Sequence, residues 1–231
     1  MGATSQLVNW LRSHNRSNHW NGWSDSAYRK QSYQHRLLLV QQHLSECLDN
    51  APPGIIRIVS LFAGDGRDVL GVINTHPRRS DVLAAFIEQS SPAVASGSRR
   101  AAELGLASAT TFHNKDATEF EAVQGIAPAN IILLCGVWGH VPHDDRAQLI
   151  QAVTSLCTPN GRLIWTRGIS KGIAKLEQIE GLFARTQWEK VQIRITPGNQ
   201  WAVATYRFLG TPLPRPKSGQ IFHFMTCAGT R

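Results

Sequence analysis

The feature that most constrains this chain is an apolar, β-branched segment, residues 55–62, that runs directly into a glycine-containing turn at residues 63–67. Two further apolar segments of strand length follow at residues 82–88 and 130–135, and stretches of helical composition separate them. Strands that alternate with helices predict a parallel sheet with helices on both faces. The sequence therefore favours a doubly wound α/β fold.

Residues 188–195 and 201–209 are two more strand-like segments, and five residues lie between them. A parallel return requires a longer crossover, so these segments are predicted to pair antiparallel. The expected fold is thus a mostly parallel, Rossmann-like sheet that ends in an antiparallel hairpin.

The N-terminal segment differs from the rest of the chain. Trp20 and Tyr28 fall in a stretch without a periodic apolar pattern, whereas residues 37–48 show the spacing of an amphipathic helix. We expect residues 1–50 to form an aromatic-rich arm or lid plus this helix, and residues 51–231 to form the main domain. Tyr28 is then a candidate to contact the substrate from the lid. The alternative is that the aromatic side chains only dock the arm onto the domain.

The charge of the chain bears on its partners. There are 24 Lys and Arg against 16 Asp and Glu, a formal charge of +8, and 42% of the residues are apolar. That apolar fraction excludes a wholly disordered chain. The basic residues are dispersed, and a nucleic-acid footprint requires clustering. A cationic surface therefore explains the charge more simply than an RNA-binding face.

The cysteines and the N-terminus bear on the location. Cys47, Cys135, Cys157 and Cys227 are scattered without metal-ligand spacing, which predicts no metal site and a reduced, cytoplasmic protein. The N-terminus lacks the basic and apolar regions of a secretory leader. No apolar run approaches the roughly 18 residues of a membrane helix, so no membrane association is expected.

The glycine turn and the following strand form the candidate ligand site. Gly64 and Gly66 allow the backbone to approach a ligand closely, and the helix behind them offers N–H groups to an anion. Glu88 ends the second strand, 22 residues after Gly66, where a carboxylate can accept hydrogen bonds from two ribose hydroxyls. Asp116 follows a short strand-like segment at residues 110–114, where it can accept a hydrogen bond from an adenine amino group. The alternatives are a tight structural turn and ordinary surface acids.

Gly64-Asp65-Gly66, Glu88, Asp116-Ala117 and residues 135–140 together resemble the class I S-adenosylmethionine-dependent methyltransferases, and especially a group of small bacterial members. The resemblance extends over residues 55–209. It implies a seven-stranded sheet, S-adenosylmethionine as the cofactor and methyl transfer as the reaction.

The same resemblance implies which residues bind the cofactor. Gly64 and Gly66 would lie against its methionine part and ribose, and Glu88 would hold the ribose hydroxyls. The full set of implied positions is Ser60, Phe62, Ala63, Gly64, Asp65, Gly66, Glu88, Gln89, Asp116, Ala117, Cys135 and Gly136, in which Gln89, Asp116 and Ala117 border adenine and Cys135 and Gly136 lie next to the sulfonium.

Two positions depart from the family pattern. Ser60 stands where an acid is usual, and Phe62 stands where the first glycine is usual. Asp65, Arg67 and Asp68 are the candidates to compensate in binding the amino-acid end of the cofactor.

Residues 136–145 would lie between the cofactor and the acceptor. His140 is the candidate general base, since imidazole titrates near neutral pH. The alternative is that His140 packs against the cofactor or positions the substrate without accepting a proton. Arg167 follows a strand-like segment at residues 162–166 and would meet an acidic substrate group or be a surface cation.

We therefore expect a methyltransferase that modifies nitrogen or oxygen of a small-molecule acceptor. One alternative is an RNA methyltransferase, which the +8 charge motivates. The other is a cofactor-binding module without catalysis, which the altered Ser60 and Phe62 motivate. The sequence does not predict the oligomeric state.

Overall fold

The computed structural model describes residues 30–126 and 128–225, so the predicted arm and Tyr28 lie outside the described residues. The helices are α1 Gln31–Asp49, α2 Arg67–Ile73, α3 Ser91–Glu103, α4 Arg146–Leu156 and α5 Ala174–Phe183. The strands are β1 Ile56–Leu61, β2 Val82–Glu88, β3 Thr110–Asn114, β4 Ala129–Leu134, β5 Cys157–Gly168, β6 Trp188–Ile195 and β7 Trp201–Phe208. Within this part of the chain, no helix combines the length and apolar character needed to cross a bilayer.

The seven strands form one sheet in the order β3-β2-β1-β4-β5-β7-β6. β1 pairs in parallel with β2 and β4, and the pairs β2–β3 and β4–β5 are also parallel. β7 runs antiparallel to both β5 and β6, as the short connection between β6 and β7 requires. The predicted mostly parallel sheet with an antiparallel hairpin is confirmed. The strand order reverses between β1 and β4, which in open α/β sheets is where ligands bind.

Helices cover both faces of the sheet. On one face, Val40 of α1 and Leu70 of α2 belong to a buried cluster with Ile58 of β1. On the other face, Val153 of α4 packs in a cluster that contains Val59 of β1. Successive strand residues point to opposite sides of the sheet. The near-continuous apolar character of β1 therefore follows from burial on both faces.

Three aromatic side chains anchor the loop after β4 to the second face. Trp165 of β5 stacks on Phe183 of α5 with ring centroids 6.0 Å apart. Trp138, in the loop, meets these two rings edge-on at 6.0 and 6.1 Å. Trp138 and Trp165 are fully buried. Because Trp138 is fixed in the core, the neighbouring loop residues have a defined position at the sheet edge.

Helices α2 and α3 begin where β1 and β2 end. Gly66 precedes α2 with φ +70°, a conformation that costs glycine little. Ser90 caps α3, since its hydroxyl accepts the N–H of Ala93 at 3.4 Å, and Pro92 occupies the first turn. The N-termini of both helices thus lie at the edge of the sheet where the ligand site is expected.

The structure differs from the sequence expectation at two elements. α1 begins at Gln31, six residues before the apolar periodicity, because its first turns hold Tyr33 and the buried Arg36 rather than aliphatic side chains. β5 extends back to Cys157. Its residues 159–161 are Pro-Asn-Gly, a composition typical of a turn, but they form a bulge in which Asn160 has φ +60°.

The segment 221–225 is not a strand. It packs across the sheet edge as a tail, in which Phe222 and Phe224 contact the ring of Phe62.

We predict that Gly97→Ala destabilises the fold by about 1–3 kcal/mol, as overpacking does. An added Cβ at Gly97 would lie 2.4 Å from the Phe112 ring and 2.9 Å from the backbone oxygen of Asp65 in the glycine turn. The matched control is Gly181→Ala in α5, where an added Cβ meets nothing within 4 Å. That control should gain roughly 0.5–1 kcal/mol from helix propensity. Urea denaturation measures both, and equal gains would contradict the close packing of α3 on the turn.

Candidate functional site

A cavity of about 400 Å³ lies at the carboxyl ends of the parallel strands. Such a volume is within the range of small-molecule sites. The walls come from the first turns of α1, α2 and α3, the turn after β1, the end of β2, the loop after β4, the end of β5, the start of β7 and the tail (residues 221–225). Its lining includes ten of the predicted site residues: Phe62, Ala63, Gly64, Asp65, Glu88, Gln89, Ala117, Cys135, Gly136 and His140.

The turn after β1 carries a run of left-handed residues. Phe62 has φ +56°, Gly64 +57° and Gly66 +70°. For a side chain as bulky as that of Phe62, this conformation costs about 1 kcal/mol or more. The centroid of its ring lies 5.6 Å from that of Phe222 and 5.5 Å from that of Phe224, and this aromatic packing offsets the strain. An added Cβ at Gly64 meets nothing within 4 Å, so the backbone there faces open space.

Glu88 connects this turn to the start of α3. Its Oε2 accepts the N–H of Gly64 at 2.9 Å, and its Oε1 accepts the N–H of Ser90 at 2.8 Å. Burial raises the pKa of Glu88, although these two backbone hydrogen bonds oppose the shift. Each carboxylate oxygen can accept a second hydrogen bond. The side chain is therefore held in place with acceptor capacity left for a ligand.

Asp68 and Arg36 form a second charged pair of groups in the cavity wall. Oδ1 of Asp68 is buried and accepts no hydrogen bond within the described residues. Burial raises the pKa of Asp68, and the positive charge of Arg36 opposes that shift. The Arg36 guanidinium lies 5.3 Å from the Trp201 ring and 5.7 Å from the Tyr33 ring. A carboxylate and a guanidinium thus line the cavity close to each other.

Asp65 and Arg67 are the other two candidates for binding the amino-acid end of the cofactor, and they form a salt bridge with each other. Nε of Arg67 donates to Oδ1 and Oδ2 of Asp65 at 2.8 and 3.0 Å. Because this fork satisfies the Asp65 carboxylate, Asp68 is the acid of the turn with an unsatisfied oxygen.

His140 lies at the end of the cavity formed by the loop after β4. Its backbone N–H donates to the carbonyl of Val137, and its carbonyl accepts the N–H of Met225 in the tail at 2.8 Å. Burial lowers the pKa of His140, and the charge of Arg167 lowers it further. The imidazole is consequently neutral at pH 7, which is the form that accepts a proton.

Three predicted residues do not line the cavity. Ser60 is buried within β1, between Phe86 of β2 and Leu133 of β4. An added Cβ at Gly66 would point at the Phe86 ring, 2.9 Å away, so this glycine serves helix–strand packing. Oδ1 of Asp116 accepts hydrogen bonds from the N–H and the hydroxyl of Thr118, so this side chain stabilises the turn after β3.

The cavity residues that the sequence did not indicate include a group of three aromatic side chains and one arginine: Tyr33, Trp201, Phe224 and Arg36. They come from α1, β7 and the tail, which are distant along the chain. The sequence carries no periodic or motif signal that brings these elements together, so the tertiary fold was needed to find this group.

Comparisons with known proteins identify the relatives of this fold. A family profile described as "Putative methyltransferase" matches residues 17–179, more than half of the chain. Protein YnbC of Escherichia coli K12 is 26% identical over 147 residues, which are 63% of this chain and 24% of YnbC. The chain therefore spans about a quarter of the length of that curated relative.

Two solved structures share the fold at low identity. The magnesium protoporphyrin IX methyltransferase of Synechocystis PCC 6803, solved with bound S-adenosylmethionine, matches with a TM-score of 0.58 and 14% identity over 75% of this chain and 80% of that one. The [4+2]-cyclase SpnF matches with a TM-score of 0.54 and 14% identity over 73% of this chain and 82% of that one. At 14% sequence identity these structural matches show only a shared fold. Family membership is shown by the profile. The chain belongs to the methyltransferase family that this profile describes.

Proposed function

We propose that the protein is an S-adenosylmethionine-dependent methyltransferase that modifies nitrogen or oxygen of a small-molecule acceptor. The observation that carries this proposal is the fixed carboxylate of Glu88, which lies at the tip of β2 and is bonded to the glycine turn of β1. A nucleoside that lies across these two strand ends would place its ribose against this group. Family membership supports the same conclusion.

The adenosine end of the cofactor would lie beside β2. Glu88 would hold the ribose hydroxyls, and Gln89 and Ala117 would border the adenine ring, as all three line that part of the cavity. Pro92 and Ala93 of α3 line the same region and offer apolar surface to the ring.

The amino-acid end of the cofactor would lie between Asp68 and Arg36. This end is zwitterionic, and the cavity offers it one carboxylate and one guanidinium. The unsatisfied Oδ1 of Asp68 fits an ammonium donor, and the Arg36 fork fits a carboxylate. These two residues would therefore replace the acid and the glycine that the family pattern has at Ser60 and Phe62.

When bound, S-adenosylmethionine supplies an activated methyl group on a sulfonium sulfur. Cys135 and Gly136 line the cavity between the two ends described above, beside which the sulfonium would lie. Burial raises the pKa of the Cys135 thiol, so it stays protonated and does not compete as a nucleophile.

The acceptor would enter beside His140. As the acceptor nitrogen or oxygen attacks, its proton would pass to the neutral imidazole of His140. Phe224 of the tail lies 6.0 Å from the His140 ring and covers this end of the cavity, which reduces the access of water. The enclosed volume favours a small molecule over a nucleic acid as the acceptor.

We also infer a cytoplasmic location. Cys47, Cys135 and Cys157 carry free thiols, and burial raises the pKa of each of them. Unreactive, unpaired thiols suit a reducing compartment.

Calorimetry of S-adenosylmethionine binding tests the cofactor site through Glu88→Ala. Loss of hydrogen bonds to a charged group should weaken the affinity about 10- to 100-fold. Glu103→Ala removes the same charge from the exposed end of α3 and should bind as the unmodified protein does. Absence of binding to the unmodified protein, or equal affinity of both variants, would refute the assignment.

Asp68→Asn should weaken cofactor affinity by about tenfold and yet stabilise the cofactor-free protein at pH 8. The pKa of Asp68 is raised in the folded state, so its ionisation opposes folding at any pH above that pKa. The stability advantage of the variant should therefore shrink as the pH falls towards 4. Asp144→Asn, whose native side chain is 99% exposed, is the control for denaturation curves at the two pH values.

His140→Ala should lower kcat by about 100-fold or more, with little change in cofactor affinity. Release of S-adenosylhomocysteine across a panel of amines, phenols and RNA measures turnover. His143→Ala, which removes an imidazole that is 72% exposed, should retain activity. Unchanged turnover in the His140 variant would reduce that residue to a positioning role. Cofactor binding without turnover on any acceptor would favour a non-catalytic module, and turnover on RNA alone would favour an RNA enzyme.

A further inference from the structure

The end of the cavity beside β4 and β5 is positively charged. Arg167, near the end of β5, lines it together with Gly139 and His140. An added Cβ at Gly139 would lie 2.9 Å from Nη1 of Arg167, so the guanidinium lies directly against the loop after β4. Burial lowers the pKa of Arg167, and the charge of Arg146, the first residue of α4, lowers it further.

Neither of these two arginines is neutralised within residues 30–126 and 128–225. No carboxylate there lies within 4.0 Å of either guanidinium, and the Nε of each is buried without an acceptor. Arg146 has one weak hydrogen bond, from Nη1 to Oε1 of Gln178 at 3.4 Å. Asp145 is the acid next to Arg146, and its Oδ2 accepts the N–H of His223. Partly buried cations without a carboxylate partner are costly, so these two point to an anion that binds them.

The acids of the cavity come from other elements than Arg167. Asp65 and Glu88 belong to the turn after β1 and the end of β2, and Asp68 belongs to the first turn of α2. These acids share their part of the cavity with Arg36 and Arg67, whereas Arg167 lies where the acceptor would enter and has no carboxylate partner among the described residues. A metabolite with a neutral surface would leave Arg167 without a partner.

We propose that the methyl acceptor carries a carboxylate or phosphate group that Arg167 binds. Arg146 does not line the cavity, but its charge adds to the positive potential at Arg167. The guanidinium fork matches the two oxygens of either group. Binding there would fix the far end of the acceptor, so that its nucleophile is held near His140. The role of this anion as part of the acceptor rests on the proposed function, whereas the anion site itself does not.

The test is a titration of the protein, with and without S-adenosylhomocysteine, with benzoate and its neutral isostere benzamide. Nitrogen-15 NMR of labelled arginine follows the Nε–H of Arg167, which should shift downfield with benzoate at a dissociation constant on the order of a millimolar. Benzamide should leave it unchanged. Phenyl phosphate and phenol form a second pair, and comparison of the two anions shows whether carboxylate or phosphate is preferred.

Two variants at Arg167 and one matched control complete the design. Arg167→Gln should weaken benzoate binding about tenfold or more, and Arg167→Lys should recover part of it, since the charge returns without the fork. Arg185→Gln removes an exposed arginine at the end of α5 and should bind benzoate normally. Calorimetry follows the variants as well, because Arg167→Gln lacks the reporting resonance.

The outcomes separate this inference from the proposed function. Equal responses to benzoate and benzamide, no response to either anion, or unchanged benzoate binding in Arg167→Gln would each overturn the anion site. Failure of S-adenosylhomocysteine to bind would instead overturn the proposed function. Saturable binding of an anion to the protein that also binds S-adenosylhomocysteine supports both.

Discussion

The carboxylate of Glu88 joins two chain segments that the sheet alone does not connect. β1 and β2 are neighbours, but the turn after β1 and the start of α3 extend beyond the last strand pairing. By accepting the N–H groups of Gly64 and Ser90, Glu88 fixes both segments at once. The shape of the cavity at the strand ends depends on this bridge. Hydrogen bonds to a charged group are among the stronger ones in proteins, which offsets the burial of the carboxylate.

The distribution of charge within the cavity follows from the same architecture. Asp68 and Glu88 come from the β1 and β2 side, and Arg167 comes from β5, on the far side of the point where the strand order reverses. Such an arrangement carries a cost in stability, because Asp68 and Arg167 are each left with an unsatisfied buried atom. Functional sites commonly keep groups of this kind, since binding of the ligand repays their desolvation.

The sequence predicted the parts of the structure that are local. Apolar runs identified the central strands, and Glu88 was recognised because it directly follows one of them. Arg36, Tyr33 and Trp201 could not be placed in the same way, because α1 and β7 meet at the cavity only through the tertiary fold. The sequence also showed that Ser60 and Phe62 depart from the family pattern, but it did not choose among Asp65, Arg67 and Asp68. The structure pairs Asp65 with Arg67, and this pairing is what favours Asp68 in the proposed site.

The tail explains how the chain tolerates an aromatic residue where the family has glycine. Phe62 adopts a left-handed backbone conformation, which a β-carbon disfavours, and its ring is held by Phe222 and Phe224. The next residue, Met225, donates its N–H to the carbonyl of His140 on the opposite wall. One segment therefore supports the strained turn, at the proposed cofactor end, and His140, at the proposed acceptor end. Because both walls depend on it, loosening of the tail would alter the two ends of the cavity together.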